Sequence, residues 1–160
     1  MDLKNMAEEI HNLFLEKNMT LSFAESCTGG LLSESVTQFS GASKYFLGSV
    51  VSYSGQVKMD LLKVPESLIV ENGEVSIPVA EKMAEGAKEV LKTDWSLSVT
   101  GIAGPGGGSE EKPVGTVCFG VNGPGFEFSE KVLINGEDRK QIQNNSAVYG
   151  LGLLKLGIQS

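Results

Sequence analysis

The sequence contains few of the side chains on which most metal sites and hydrolytic triads depend. Its 160 residues include one histidine, His11, and two cysteines, Cys27 and Cys118. The cysteines show no CxxC spacing and have no supporting histidine, so we predict neither a disulfide framework nor a zinc site. His11 follows Glu8 by about one helical turn, and we expect its ring to face solvent. A Ser-His-Asp hydrolase is therefore disfavoured, and a serine nucleophile here would need a different base.

Basic residues and long apolar runs are also scarce. There are 13 Lys and Arg residues against 20 Asp and Glu residues, which gives a formal net charge of −7. A nucleic-acid surface needs a clustered excess of Lys and Arg, so we expect no nucleic-acid partner. No apolar run approaches membrane-spanning length, and the N-terminus predicts a charged amphipathic helix without the apolar region of a signal peptide. These absences favour a cytoplasmic protein with no membrane contact.

The remaining composition predicts one folded domain over residues 1–160. Apolar residues make up 41% of the chain, which is enough for one sizeable core. A length of 160 residues is too short for two ordinary domains. Helical and strand patterns alternate and then end in a hairpin, so we predict an α/β fold, a three-layer α/β/α sandwich with a mixed sheet. After an N-terminal helix, the predicted helices are 28–39, 56–62, 65–69, 77–91 and 137–156, and the predicted strands are 19–24, 45–53, 95–100, 115–121 and 126–133.

The segment FAESCTGG lies at a predicted strand-to-helix junction, where backbone N–H groups are free to receive a negative charge. Ser26 and Cys27 are alternative nucleophiles there, but we expect their side chains to point in different directions and the small Cys27 to pack in the core, as Cys118 does inside its strand. Thr28 is most simply the N-cap of the helix. Glu25 either orients a group of the site or satisfies the helix dipole.

The next strand ends in YSGQVK, which offers a tyrosine and a lysine as bases in place of histidine. Open α/β sheets place their sites at the carboxyl edge of the strands, where Tyr53 and Lys58 are expected. Either residue can act as a base if its pKa is lowered, by a neighbouring cation for both or by burial for the lysine. The pattern alone equally fits a packing tyrosine at the end of a strand and a solvated lysine on a helix.

A glycine-rich loop, GIAGPGGG, follows the predicted strand that ends at Thr100. It lacks the Gly-Lys-Ser/Thr of a P-loop and leads to a strand, so it is neither a P-loop nor a dinucleotide fingerprint. It is either a flexible turn or a set of free backbone N–H groups that cradle a phosphate. Lys112 and Arg139 are the candidates for a countercharge.

Three motifs in order, FAESCTGG, YFLGSVVSYSxxxK and VTGIAGPGGGSxEKPVGTVxFGV, resemble the CinA C-terminal domain family of nicotinamide-nucleotide amidases over nearly the whole chain. The resemblance implies a stand-alone domain that hydrolyses the carboxamide of nicotinamide mononucleotide to nicotinic acid mononucleotide and ammonia, with no metal and no cofactor. It implies Ser26, Tyr53 and Lys58 as the catalytic set. The positions implied to hold the nucleotide are Thr100, Gly101, Gly104, Gly106, Gly107, Gly108 and Arg139.

The mechanism that follows has Ser26 attack the carboxamide while Lys58, directly or through Tyr53, removes its proton. Thr28, Gly29 and Gly30 are expected to build the anion site, with backbone N–H groups near Thr28 and Gly29 holding the oxyanion. The nucleotide is then the expected small-molecule partner, and a homo-oligomer, with a dimer as the expected form, is a further expectation.

The chain also departs from the family pattern at two positions, which leave a second class of function open. Gly55 stands where many relatives have Asn, and the uncharged Gln143 stands where they have a second basic residue. Both changes bear on the affinity for substrate more than on the fold. The alternative is a nucleotide-binding regulatory or partner-binding domain that keeps the pocket without catalysis.

Overall fold

The structure is a computed structural model that describes all residues, 1–160. The chain forms six α-helices and five strands, which alternate as far as the second strand, with a short 3-10 helix (Ala42–Lys44) before that strand. Three helices then follow in a row, and after them three strands and the last helix. The elements are α1 (Leu3–Lys17), β1 (Leu21–Glu25), α2 (Leu31–Thr37), β2 (Phe46–Val51), α3 (Gly55–Leu62), α4 (Glu66–Asn72), α5 (Ile77–Leu91), β3 (Trp95–Gly101), β4 (Thr116–Gly123), β5 (Phe126–Leu133) and α6 (Arg139–Gln159).

The strands form one mixed sheet in the order β2-β1-β3-β4-β5. β1 runs parallel to both β2 and β3, whereas β3 pairs antiparallel with β4, and β4 with β5. One face of the sheet carries the larger core, 23 buried residues from the sheet and from α1, α2 and α6. A smaller core of six residues, including Leu62, Val79 and Met83, joins α3 and α5 to the opposite face. The predicted α/β fold with a mixed sheet covered on both faces is confirmed.

Local signals predicted some helix ends well and others poorly. α5 has the predicted bounds because the Ser76 side chain accepts the N–H of Val79 at its N-terminus. α2 begins three residues later than predicted, because Gly29 and Gly30 have φ values of 59° and 105° and Gly30 is the N-cap residue. The prediction that Thr28 caps this helix is therefore wrong.

The prediction that His11 faces solvent is wrong. The residue is only 8% exposed, and its Nδ1 atom lies 3.1 Å from the Tyr45 hydroxyl oxygen. His11 shares the buried stripe of α1 with Ala7, Ile10 and Phe14, a spacing of three and four residues that outweighs its charged sequence neighbours. Its ring therefore belongs to the larger core's edge and not to a catalytic site.

None of the six helices combines the length and the apolar character that crossing a bilayer requires. The homo-oligomer expected from the resemblance stays a prediction.

Candidate active site

The carboxyl ends of the three parallel strands meet at one edge of the sheet, and a cavity opens there. Its volume is about 240 Å³. The residues around it come from the segments that follow β1, β2 and β3, from α3, from the turn before α5 and from the start of α6. They are Ser26, Cys27, Tyr53, Lys58, Glu74, Val75, Thr100, Gly101, Ile102, Ala103, Gly104, Gly106, Gly107 and Arg139.

A larger cleft of about 450 Å³ lies elsewhere, between α5 and the β4–β5 hairpin. Its polar lining includes Glu81, Glu85 and Glu127. Its one serine, Ser129, donates its hydroxyl to Glu81 at 2.7 Å in a solvent-exposed contact and has no buried base beside it. No group of three or more His, Cys, Asp or Glu side chains in the molecule is arranged to hold a metal ion. We therefore place the candidate chemistry in the smaller cavity, whose lining includes a serine beside a buried lysine.

Ser26 and Lys58 form the buried end of this cavity. The Lys58 Nζ atom lies 2.9 Å from Ser26 Oγ and 2.6 Å from the Ser52 carbonyl oxygen, and the lysine is 1% exposed. Burial lowers the pKa of Lys58, while the charge of Glu74 acts in the opposite direction. A lysine with a lowered pKa in contact with a serine hydroxyl is suited to remove the proton of that serine.

The backbone holds this pair in place from three sides. The N–H of Ser26 donates to the Val99 carbonyl at 2.9 Å, which ties the residue after β1 to β3. The N–H of Ser52 donates to the Glu25 carbonyl at 2.7 Å, which ties the end of β2 to β1. Ser54 caps α3 by accepting the N–H of Val57, so the helix that carries Lys58 begins at Gly55, three residues before the lysine. The Ser26–Lys58 contact is therefore a product of the parallel sheet and one capped helix.

Glu25, directly before Ser26, serves the helix N-terminus and not the cavity. Its carboxylate is fully buried and accepts five hydrogen bonds, of 2.7 to 3.2 Å, from the Thr28 hydroxyl, from the N–H groups of Gly30, Leu32 and Ser33, and from the Ser33 hydroxyl. The N-terminus of a helix favours a negative charge and leaves N–H groups without partners, and this carboxylate satisfies both. The sequence left two roles for Glu25, orienting a group of the site or satisfying the helix dipole, and the structure supports the helix dipole.

Thr28, Gly29 and Gly30 do not line the cavity, although we expected them in the anion site. The N–H of Gly29 donates to the Ser26 carbonyl at 3.0 Å, and that of Gly30 donates to Glu25. In this turn only the N–H groups of Cys27 and Thr28 make no hydrogen bond within the chain. The donor available to an oxyanion is therefore the N–H of Cys27, with that of Thr28 beside it.

Cys27 packs in the core as expected, but it also lines the cavity that contains Ser26. The expectation that the side chains of Ser26 and Cys27 point in different directions thus does not keep Cys27 out of the cavity wall, which both residues line. Burial raises the pKa of the Cys27 thiol to about 12, so the thiol stays protonated at neutral pH and is a poor nucleophile. Its carbonyl accepts a hydrogen bond of 2.9 Å from Gln143 Nε2, a contact that sequence reasoning missed. Cys118 is buried inside β4, as expected.

Tyr53 and Arg139 form the open end of the cavity. One terminal nitrogen of Arg139 donates to the Tyr53 hydroxyl and the other to the Gly104 carbonyl, both at 2.8 Å. Tyr53 is 62% exposed and makes no hydrogen bond to Ser26 or Lys58. The structure thus brings Tyr53 to the arginine and leaves Lys58 alone beside the serine.

The glycine-rich loop contributes Gly101, Gly104, Gly106 and Gly107 to the cavity, whereas Gly108 lies outside it. A Cβ on Gly106 would meet no atom within 4 Å, so this part of the loop presents bare backbone to the cavity. Thr100, just before the loop, donates its hydroxyl to the Glu74 carbonyl at 3.0 Å.

Lys112, the other candidate countercharge, is not in the cavity. Its Nζ atom donates to the Asn72 carbonyl at 2.7 Å, at the end of α4. Arg139 is therefore the cation at this end of the cavity. Glu74 also lines the cavity, although nothing in its sequence neighbourhood singled it out.

These features define an α/β domain whose candidate site combines a buried serine–lysine pair with a glycine-rich loop and an arginine. The chain belongs to the CinA C-terminal domain family, whose family model matches residues 3–157. It is 45% identical over 157 residues to a CinA-like protein of Prochlorococcus marinus subsp. pastoris, covering 97% of this chain and 36% of the relative. A CinA-like protein of Dictyoglomus turgidum is 46% identical over 154 residues, covering 96% and 37%.

Solved structures agree with this assignment. The competence/damage inducible protein CihA of Agrobacterium tumefaciens superposes with a TM-score of 0.95 at 32% identity, covering 100% of this chain and 97% of that one. The competence damage-inducible protein A (ComA) of Klebsiella pneumoniae gives a TM-score of 0.94 at 25% identity, covering 99% and 98%. The chain spans about a third of the length of the curated CinA-like relatives. The family named from the three motifs is confirmed.

Proposed function

We propose that the chain is a nicotinamide-nucleotide amidase, which hydrolyses nicotinamide mononucleotide to nicotinic acid mononucleotide and ammonia. The observation that carries the proposal is the 2.9 Å contact between Lys58 Nζ and Ser26 Oγ in a cavity whose open end holds Arg139. The buried pair supplies a nucleophile and its base, and the open end supplies a cation and bare backbone for a phosphate. Membership of the CinA family supports the same reaction.

In the first half of the reaction, the neutral amine of Lys58 takes the Ser26 proton as Oγ bonds to the carboxamide carbon. The N–H groups of Cys27 and Thr28 are the available donors for the resulting oxyanion, and one such donor contributes roughly 3 to 4 kcal/mol in other acyl-transfer sites. The C–N bond then breaks, and Lys58 returns the proton to the departing nitrogen, which leaves as ammonia.

In the second half, water attacks the ester formed on Ser26. Lys58 takes a proton from the water, the bond between carbon and Oγ breaks, and the proton returns to Ser26. The products are the free serine and nicotinic acid mononucleotide. No step requires a metal ion or a cofactor.

Arg139 and the glycine-rich loop bind the phosphate of the nucleotide in this proposal. Tyr53 holds the arginine through its hydroxyl, and its contact with Arg139 in place of Ser26 or Lys58 disfavours a proton relay through the tyrosine. The small-molecule nucleotide is thus the partner, and pyridine nucleotide salvage is the metabolic setting.

The alternative function is a nucleotide-binding module without catalysis. The observation in its favour is the Tyr53–Arg139–Gly104 arrangement, which is complete without the serine and could hold a phosphate whether or not an amide is cleaved. The two functions differ in their dependence on Ser26. Replacement of Ser26 abolishes the activity of an amidase, whereas a binding module without catalysis keeps its affinity for the nucleotide.

The deciding experiment is incubation of the purified chain with nicotinamide mononucleotide in buffer containing EDTA, with ammonia and nicotinic acid mononucleotide both quantified. Ser26→Ala should abolish product formation and still bind the nucleotide in calorimetry. Ser67→Ala, an equal change on the exposed face of α4, serves as the control. Nucleotide binding without product from the parent chain would favour the regulatory alternative.

A further inference from the structure

Glu74 is a carboxylate that neither the motifs nor the family resemblance assigned to the site. It lies in the turn between α4 and α5 and lines the cavity together with Ser26 and Lys58. The Thr100 hydroxyl donates to its carbonyl at 3.0 Å, which fixes the backbone of this turn to the end of β3. Glu74 therefore lines the cavity from a turn whose backbone is held in place.

The position of the Glu74 carboxylate is coupled to the absence of a side chain at Gly55. A Cβ placed on Gly55 would lie 2.9 Å from Glu74 Oε1, closer than ordinary packing allows, so the end of the flexible Glu74 side chain would have to move. The carboxylate thus occupies the space that any larger residue 55 would fill.

The same position puts a negative charge close to the lysine. Gly55 and Lys58 are three residues apart on α3, so they share one helix face. The charge of Glu74 raises the pKa of Lys58 and so counters the lowering by burial. The other ionisable groups around the cavity are Cys27 from the loop after β1, Tyr53 from the segment after β2 and Arg139 from α6, and Lys112 lies behind the turn at Gly73.

We propose that Glu74 is a positioning residue of this site, which takes the place of a side chain at position 55 and sets the charge around Lys58. The inference rests on the proposed function, since it assigns Glu74 an effect on the base of that reaction. If Glu74 acts in this way, the pH at which Lys58 loses its proton depends on the Glu74 carboxylate, and the missing side chain at Gly55 leaves the space for that carboxylate.

The sign of the effect follows from the charges. A nearby carboxylate stabilises the protonated lysine, so the neutral amine forms at higher pH with Glu74 than without it. Glu74→Gln keeps the shape of the side chain and removes the charge. The pH at which activity rises should therefore shift downward in Glu74→Gln.

The experiment measures the rise of rate with pH in two ways, for hydrolysis of nicotinamide mononucleotide and for labelling of Ser26 by a fluorophosphonate. In the labelling reaction the bond between Oγ and phosphorus forms, fluoride leaves and Lys58 takes the serine proton. Labelling needs the Ser26–Lys58 pair but not the natural substrate. Failure of the proposed function, which would leave labelling intact and hydrolysis absent, is thereby distinguished from failure of the inference.

Four variants test the coupling against the parent chain: Glu74→Gln, Gly55→Ala, the double variant, and Glu71→Gln as the matched control. Glu71 is exposed on α4 and does not line the cavity, so its change should leave both profiles where they are. Gly55→Ala should shift the profiles downward because its Cβ displaces the carboxylate. The double variant should match Glu74→Gln, since the two changes remove the same interaction.

Melting temperatures establish that each variant is folded, and the exposed position of Glu74 makes its substitution mild. A labelling profile of Glu74→Gln that coincides with that of Glu71→Gln would overturn the inference. Additive shifts in the double variant would also overturn it, because they would separate Gly55 from the carboxylate. Absence of Ser26 labelling at every pH in the parent chain would show that the pair is unreactive and would sink both proposals.

Discussion

The two ends of the cavity use their polar side chains in different ways. At the buried end, Lys58 is almost inaccessible and contacts the Ser26 hydroxyl, and its pKa is lowered by burial. At the open end, Arg139 is held between the Gly104 carbonyl and an exposed tyrosine. A buried amine can lose its proton and act as a base, whereas a guanidinium stays charged and is suited to bind an anion. We propose from this difference that the chemistry takes place at the buried end and phosphate binding at the open end, a division that the following substitutions test.

The largest effect is expected at the buried end, from Ser26→Ala. Removal of the nucleophile should lower kcat by about 10⁴-fold or more, on the scale seen when other acyl-transfer enzymes lose their serine. Cys27→Ala is the informative counterpart, because its protonated thiol packs in the core and its loss should leave most activity. Ammonia release under saturating nucleotide measures both. An active serine variant with an inactive cysteine variant would reverse the assignment of the nucleophile.

The fold around that serine could be predicted from the sequence only where the signals are local. α5 has its predicted bounds because an N-cap serine and an early proline mark its start, and five strands were predicted from their own patterns. The prediction that His11 faces solvent failed because exposure depends on which face of α1 packs on the sheet. The predicted start of α2 was wrong because Gly29 and Gly30 adopt positive φ values, which the sequence alone does not reveal.

The site shows the same limit more sharply. Ser26 and Lys58 are 32 residues apart in the chain, and only the resemblance to the family predicts that they belong to one site. The bond from Arg139 to Tyr53 joins residues 86 positions apart, and no spacing rule predicts it. Glu74 was missed because an isolated carboxylate in a turn carries no pattern, and its importance depends on space that only the folded chain creates beside Gly55.

A somewhat smaller effect is expected from Lys58→Met, which removes the base and keeps an unbranched side chain in the buried position. General-base catalysis contributes about 10² to 10⁴-fold, so kcat should fall by that factor. The parent chain should gain activity as the pH rises through the lowered pKa of Lys58, because the neutral amine is the active form. That rise should be missing from the variant. Substantial activity in a folded Lys58→Met chain, with an unchanged pH profile, would assign the base elsewhere.

At the open end, Arg139→Ala should raise KM for nicotinamide mononucleotide by roughly ten- to a hundredfold, since a charge-assisted contact contributes about 1.5 to 3 kcal/mol. The kcat should change little, because the phosphate contact is made equally in the ground state and the transition state. Lys140→Ala removes the same charge from the exposed neighbouring position and is the control. A KM equal to that of the parent chain would exclude Arg139 from the binding site.

The smallest effect, and the sharpest test of the division, is expected from Tyr53→Phe. The change removes the acceptor of one Arg139 hydrogen bond, and a typical hydrogen bond contributes about 0.5 to 1.5 kcal/mol. Because Tyr53 is 62% exposed, water replaces part of that contact, and the rise in KM should stay within about tenfold.

A proton relay through Tyr53 predicts the opposite pattern for the same variant. Loss of a relay would lower kcat by about 10²-fold or more and would alter the pH dependence, with KM little changed. Tyr149→Phe, which removes a comparable bond to Glu130 away from the cavity, controls for the loss of a hydroxyl. Measurement of kcat and KM across the pH range on both variants separates the two roles. A fall in kcat confined to Tyr53→Phe would mean that the open end takes part in the chemistry, and the division between the two ends would have to be abandoned.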